Sequence, residues 1–180
     1  MYFSQNYATV YQDAIKSAHF GKQQITLHLI PCYYRNKDGV LTGESVVMLS
    51  DDLNHDVPAV SAFRKMLVSH LRSKEVKVSH VIECCDGSPN QYKCAGAFAD
   101  IAESAQQLNI DITRCFYGSE HGKGESDGEA GLVKSRLTMH VIGTGAIIND
   151  ANAIKEFGDT HMQLHKVSQL KNVAETVTSM

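Results

Sequence analysis

Two aspartates stand at chain reversals in the middle of the sequence, where carboxylates can hold cations. Asp86 follows an apolar run and precedes a glycine, and Asp127 follows the glycine-rich stretch 118–124. Two hard divalent cations held by carboxylates can neutralise the charge that develops during phosphodiester cleavage and strand transfer. We therefore predict Asp86 and Asp127 as catalytic residues and as ligands of Mg²⁺ or Mn²⁺. Glu125 and Glu129 are alternatives to Asp127.

Basic side chains cluster in sequence around these two acids. The chain as a whole carries a formal net charge of −3, so its overall charge does not favour a polyanion and any such contact needs a local patch. The glycines allow a close approach of the backbone, and a helix start offers unpaired amides to a phosphate oxygen. The predicted nucleic-acid contacts are Lys93, His121, Lys123, Lys134 and Arg136.

Each of these residues also has a purely structural interpretation. An Asp-Gly step after a strand is a common turn, and an aspartate at a helix start is a common cap. His121 and Lys123 are equally consistent with an ordinary polar loop. The five cysteines have no spacing typical of a disulfide framework or a zinc site, and Cys84 and Cys85 are predicted as buried apolar residues.

Residue patterns in the first half of the chain predict the strands and the helix that precede Asp86. Branched and aromatic residues at 24–34 and 44–50 predict a β-hairpin through the turn at 36–39. Apolar residues at three- and four-residue spacing predict a helix over 57–71. The run 76–85 is nearly all apolar at its end, which is typical of a strand buried in the middle of a sheet.

The second half continues with alternating helices and strands. The alanine-rich stretch 94–108 predicts a helix, and 110–117 predicts a strand. Ser126 and Asp127 are predicted to cap a further helix, and a short helix is predicted at 150–157. This order of elements indicates a mixed α/β domain.

The order of elements, and several motifs, resemble those of a known family. The motifs are 12–20 (QDAIKSAHF), 50–56 (SDDLNHD), 86–93 (DGSPNQYK) and the His-Gly-Lys-Gly of 121–124 followed by Asp-Gly. They are similar to a transposon-derived family of animal proteins related to the DDE-type catalytic cores of transposases and integrases. The resemblance implies a ribonuclease H-like mixed sheet with helices on both faces over residues 1–157, followed by a C-terminal tail at 158–180.

The resemblance also implies three acidic ligands, of which one is missing. Tyr2 stands where the first strand of the family carries an acid, and a tyrosine does not replace an ionised carboxylate as a bridging ligand. Either the N-terminal strand is truncated or decayed, or Asp13 or Asp51 supplies the third ligand. We favour a truncated or decayed strand over a substitute acid, because Met1 falls where that strand is expected to be under way.

The resemblance therefore implies a transposase-derived domain that is related to metal-dependent DNA cleavage and strand transfer, with reduced activity. The alternative is a non-catalytic module that binds nucleic acid or protein on the same fold. A hydrolase of small phosphorylated substrates is less favoured, because the sequence has no phosphate-loop motif. No apolar run is long enough to span a bilayer and no secretory signal opens the chain, so we expect an intracellular protein, nuclear or cytoplasmic, with no membrane contact.

Overall fold

The computed structural model describes residues 2–3, 6–9, 24–117, 125–161 and 167–169. At residues 2–3, 125–127 and 167–169 the description covers the backbone alone. Several predicted site residues therefore lie outside the described residues, either entirely or in their side chains. They are His121, Lys123 and Asp13, and the side chains of Tyr2, Glu125 and Asp127.

The described chain is mixed α/β, as the sequence predicts. Its strands are β1 (Tyr2–Phe3), β2 (Tyr7–Ala8), β3 (Gln24–Arg35), β4 (Leu41–Ser50), β5 (His80–Cys85), β6 (Asp111–Phe116) and β7 (Val167–Gln169). Its helices are α1 (Val57–Ser73), α2 (Ala95–Leu108), α3 (Glu125–Thr144) and α4 (Ala151–His161). Most predicted elements are thus confirmed within a few residues of their predicted ends.

The described strands form two sheets, whereas the sequence predicts one mixed sheet. The larger sheet has the order β1-β3-β4-β7, with β2 also paired to β3, and the smaller sheet contains β5 and β6. The chain divides into two compact units. One unit comprises Met1–Tyr2, Pro31–Glu44 and Asn54–Gly124, and the other comprises Phe3–Ile30, Ser45–Leu53 and Glu125–Met180. The predicted domain 1–157 stays a prediction, although α4 continues past its boundary to His161 and β7 pairs in parallel with β4.

One apolar core belongs to the second unit. Side chains of β3 and β4 that point to one face of the sheet pack with the apolar stripe of α3 and with α4. Alternate residues of a strand point to the same face, and residues three or four apart share one side of a helix, so these positions meet. The buried residues of α3 are Ala130, Val133, Leu137 and Val141.

The other unit contains a strand–helix–strand passage, β5–α2–β6. The two strands run in parallel from the pair His80–Asp111 to the pair Cys85–Phe116, and α2 packs against both β6 and α1. Asp56 caps α1 by accepting a hydrogen bond from the Ala59 amide at 3.0 Å. Asn109 ends α2 in the left-handed conformation at φ 50°, which asparagine tolerates better than most residues. These caps fix the ends of the helices next to β5 and β6.

The prediction that β5 is buried in the middle of a sheet is wrong. Among the described residues β5 pairs with β6 alone, and Ile82 is 63% exposed. Glu83, the one charged residue of the strand, is 2% exposed instead. Cys84 is half-buried, so of the two neighbouring cysteines only Cys85 is the buried residue that the sequence predicts. The strand therefore has one buried face that carries a charge and one accessible face that is apolar.

A second buried carboxylate lies near the connection between β3 and β4. Glu44 is 7% exposed and interacts with Nε2 of His70 at 3.2 Å and with Nζ of Lys74. Burial by itself raises the pKa of Glu44, but hydrogen bonds from Lys74 and Tyr34 outweigh burial and leave this pKa lowered. Glu44 is therefore ionised and partnered, which is what a buried carboxylate requires.

Candidate functional site

The candidate site lies at the carboxyl end of the parallel pair β5–β6. The Tyr117 amide donates to the Cys85 carbonyl at 3.1 Å, so the strand pairing continues for one residue beyond β6. Asp86 follows β5 at this end. In open α/β sheets, ligands bind outside the carboxyl ends of the parallel strands, because the loops that vary in sequence gather there. Asp86, the first of the two acids predicted from the sequence, therefore lies at an edge of this kind.

Asp86 is half-buried in a turn that is closed by its own hydrogen bonds. Its Oδ1 accepts a hydrogen bond from the Ser88 amide at 3.3 Å. The Ser88 carbonyl in turn accepts from the amides of Tyr92 at 2.9 Å and Lys93 at 3.0 Å. An aspartate that bonds to the backbone two residues on is typical of a turn. The turn interpretation of Asp86 is thus confirmed, and among the described hydrogen bonds its Oδ2 accepts none.

Tyr92 anchors this turn in the interior of the unit. Its side chain is fully buried, and the guanidinium of Arg114 lies 5.5 Å from the centre of its ring. Nη1 of Arg114 also donates to the Tyr92 carbonyl at 3.2 Å. Burial raises the pKa of Tyr92 well above its usual range, and it raises the pKa of Cys85 to about 11. Tyr92 and Cys85 are therefore neutral at pH 7 and act as packing residues.

Lys93 lies at the surface beside an aromatic group. Its Nζ is 5.7 Å from the centre of the Phe116 ring, a cation–π contact. Phe98 meets Phe116 edge to face with ring centres 6.5 Å apart, and 51% of Phe98 is exposed. Tyr117 is likewise 51% exposed. The carboxyl end of the pair thus presents one carboxylate, one cation and aromatic surface.

A network of four buried or partly buried charges lies behind this edge, and sequence analysis missed it. Glu83 accepts from Nε of Arg64 at 2.5 Å and from Nη2 of Arg114 at 2.7 Å. Arg64 also donates from Nη1 to Asp100 at 2.6 Å and to the Ser104 hydroxyl at 2.9 Å. Burial by itself lowers the pKa of Arg64, but Glu83 and Asp100 more than offset this and raise it. The guanidinium therefore stays charged.

These four charges cancel within the network. Two guanidinium groups face two carboxylates, so the buried arginines add little positive potential to the edge. The network joins α1, β5, α2 and β6, and it stabilises the scaffold that carries Asp86 and Lys93. A sequence signal for it exists in α1, where Arg64 interrupts the apolar spacing of Val60 and Val68 on the buried side of the helix.

Asp127, Lys134 and Arg136 lie in the other unit. The helix α3 begins at Glu125, so Ser126 and Asp127, which are predicted to cap it, lie one to two residues inside its first turn. Lys134 is half-buried and Arg136 is exposed, and two residues apart they point to different sides of the helix. Oε2 of Glu129 is buried and has no hydrogen-bond partner among the described residues.

The described residues do not by themselves complete a metal centre. No group of three or more histidine, cysteine, aspartate or glutamate side chains in the described ranges is arranged to hold a metal ion. Asp86 supplies one carboxylate, and the two-ion chemistry predicted from the sequence needs several. Asp86 by itself therefore does not supply the ligands that such a centre requires.

The fold is mixed α/β, and the candidate site lies at the carboxyl end of a parallel strand pair. The chain belongs to the family described as Domain of unknown function (DUF8701), whose model matches residues 1–178. Neither a curated protein nor a solved structure shows a significant similarity to it. Within the described part of the chain, no helix is long and apolar enough to cross a membrane.

Proposed function

We propose that this chain is a ribonuclease H-like domain of transposase origin that binds DNA, with metal-dependent strand cleavage reduced. The observation that carries the proposal is the position of Asp86. It follows β5 directly, at the carboxyl end of a strand–helix–strand passage, with Lys93 in the same turn. A carboxylate and a cation at such an edge suit a phosphate backbone and the metal ion that accompanies it.

The surface around Lys93 favours nucleic acid over a small phosphorylated molecule. Phe98 and Tyr117 expose about half of their surface, and Phe116 lies under the lysine. Exposed aromatic rings beside a cation bind unpaired bases by stacking while the cation contacts the backbone. Lys134, Arg136, His121 and Lys123 are proposed from the sequence as further contacts with DNA.

Reduced catalysis is proposed because Tyr2 stands where the resemblance implies the first of three acids. Asp86 is proposed as one ligand of Mg²⁺ or Mn²⁺ and Asp127 as a second. Glu83 and Asp100, two further acids beside β5, are each bonded to arginine and are not proposed as ligands. A non-catalytic protein-interaction module is the second candidate, and the exposed apolar side chains of Ile82 and Phe98 favour it.

Asp86→Asn is expected to abolish the binding of Mn²⁺ or to weaken it by at least about tenfold. The reason is that the substitution replaces a charged carboxylate ligand with a neutral amide. Isothermal titration calorimetry with Mn²⁺ and with Mg²⁺ measures the effect. Asp111→Asn is the matched control, since Asp111 is an exposed aspartate at the opposite end of the strand pair. Equal binding by the wild type and Asp86→Asn, or binding by neither, contradicts the assignment of Asp86 as a ligand.

Lys93→Gln is expected to weaken binding of single-stranded DNA several-fold and to reduce its salt dependence by about one phosphate contact. Fluorescence anisotropy with a labelled oligonucleotide at two salt concentrations measures both. Lys77→Gln is the control, because Lys77 is exposed and precedes the amino end of β5. If the wild type shows no salt-sensitive binding at low ionic strength, the DNA proposal fails and the protein-interaction module is favoured.

A further inference from the structure

The accessible face of the strand pair β5–β6 carries two cysteines side by side. In the parallel register Cys84 pairs with Cys115. Cys115 is exposed and Cys84 is half-buried, whereas the flanking pairs Glu83–Arg114 and Cys85–Phe116 belong to the buried face. Residues paired in adjacent strands point to the same side of the sheet, so the two thiols are neighbours on one accessible surface.

The spacing of the two strands fits two-thiol chemistry. Neighbouring strands lie about 4.8 Å apart, and a disulfide needs Cα atoms roughly 4.4–6.8 Å apart. All five cysteines are thiols in this structure. The next residue, Cys85, is unsuited to such chemistry, because it is fully buried on the opposite face.

We propose that Cys84 and Cys115 form a dithiol site that peroxide-class oxidants convert reversibly to a disulfide. The thiolate of the more accessible Cys115 attacks one peroxide oxygen, the O–O bond breaks, and a sulfenic acid forms as one water leaves. The sulfur of Cys84 then attacks the sulfenic sulfur, the S–S bond forms, and the second water leaves with the remaining protons. Two thiols lose two electrons, and one hydrogen peroxide is reduced to two waters.

The site is independent of the proposed DNA contact. The DNA proposal rests on Asp86, Lys93 and the aromatic side chains near them, whereas the dithiol rests on the register of the strand pair and on the accessible face that carries Cys84 and Cys115. A disulfide at this place would be accessible to solvent, and accessible disulfides are the ones that reducing thiols reopen. The site is therefore suited to a reversible modification.

Tryptic peptides of the full chain can report the predicted disulfide directly. Cleavage after Lys77, Lys93, Arg114 and Lys123 separates Cys84, Cys94 and Cys115 into the peptides 78–93, 94–114 and 115–123. After native protein is treated with hydrogen peroxide and remaining thiols are blocked, mass spectrometry is expected to find 78–93 joined to 115–123. Dithiothreitol is expected to remove the link.

Single substitutions assign the link to its two sulfurs. Cys84→Ser and Cys115→Ser are expected to lose it, and the control Cys94→Ser is expected to keep it. A link that survives in Cys84→Ser, which would then involve Cys85, overturns the proposal. A wild type that yields only singly oxidised cysteines, or a link through peptide 94–114, also overturns it.

A second measurement on the unmodified chain does not depend on any variant. Phenylarsine oxide, a trivalent arsenical that needs two adjacent thiols, is expected to add once per folded chain and to consume two thiols. Intact-protein mass spectrometry measures this addition. A folded wild type that takes up no arsenical shows that the two thiols do not meet, and it overturns the proposal even if the variants fail to fold.

Discussion

Glu83→Gln is expected to lower the free energy of unfolding of its unit by about 3–5 kcal/mol, the range for removing one partner of a buried ion pair. Glutamine has nearly the same volume, so the substitution creates no cavity. It leaves the guanidinium groups of Arg64 and Arg114, which are 0% and 2% exposed in their side chains, beside a neutral amide. One end of that amide is itself a donor, so one set of hydrogen bonds is lost as well.

Urea unfolding followed by circular dichroism measures this loss, and hydrogen exchange of the amides in β5 and β6 locates it. Glu103→Gln is the matched control, because Glu103 lies exposed on α2 and contacts only Gln107 in the described hydrogen bonds. Its change is expected within about 0.5 kcal/mol. A loss below about 1 kcal/mol in Glu83→Gln would mean that water or another group neutralises the arginines.

A double-mutant cycle tests whether the network acts as a unit. Arg64→Met and Glu83→Gln are each expected to be destabilising, and together they are expected to cost less than the sum of the two. The reason is that the second substitution removes a partner that the first has already left unmatched. Additive losses would show that Arg64 and Glu83 contribute separately, through packing instead of charge.

The sequence correctly predicts that β5 is a strand, but it does not predict which side chains of β5 are buried. Residues 81–85 are apolar apart from Glu83, and an apolar stretch is ordinarily interpreted as buried. In the fold Glu83 is buried and Ile82 is exposed, the reverse of that rule. The inversion depends on Arg64 and Arg114, which lie 19 and 31 residues away along the chain. The local pattern of β5 therefore does not reveal that Glu83 is buried, although Arg64 leaves a signal in the pattern of α1.

Helix ends and turns are easier to predict from the sequence, because the residues that determine them lie within a few positions of one another. Pro58 near the start of α1, Asn109 at the end of α2 and the Asp-Gly turn before β4 all act within a few residues. In the candidate site, too, local features are predictable from the sequence and tertiary contacts are not. Asp86 and Lys93 follow from a turn motif, whereas the anchoring of that turn through Tyr92 and Arg114 is a tertiary contact that no spacing predicts.

Leu137→Ala is expected to lower the free energy of unfolding by about 2–5 kcal/mol, the range for truncating a buried leucine. Leu137 is 0% exposed and lies in the core cluster that α3 shares with β3, β4 and α4. Alanine favours helix more than leucine does, so the loss would come from the cavity and from lost apolar burial, and helix propensity would not explain it. Chemical denaturation measures the loss, and hydrogen exchange of the α3 amides locates it.

Two further variants separate the cavity from other causes. Met139→Ala, at a position 68% exposed on the same helix, is expected to change stability by less than about 0.5 kcal/mol. Leu137→Met keeps the volume and is expected to cost less than about 1.5 kcal/mol. If Leu137→Met costs as much as Leu137→Ala, the shape of the leucine and not its volume limits the packing. If Leu137→Ala costs as little as Met139→Ala, the core around α3 collapses into the space or admits water, and the close packing described for this unit is wrong.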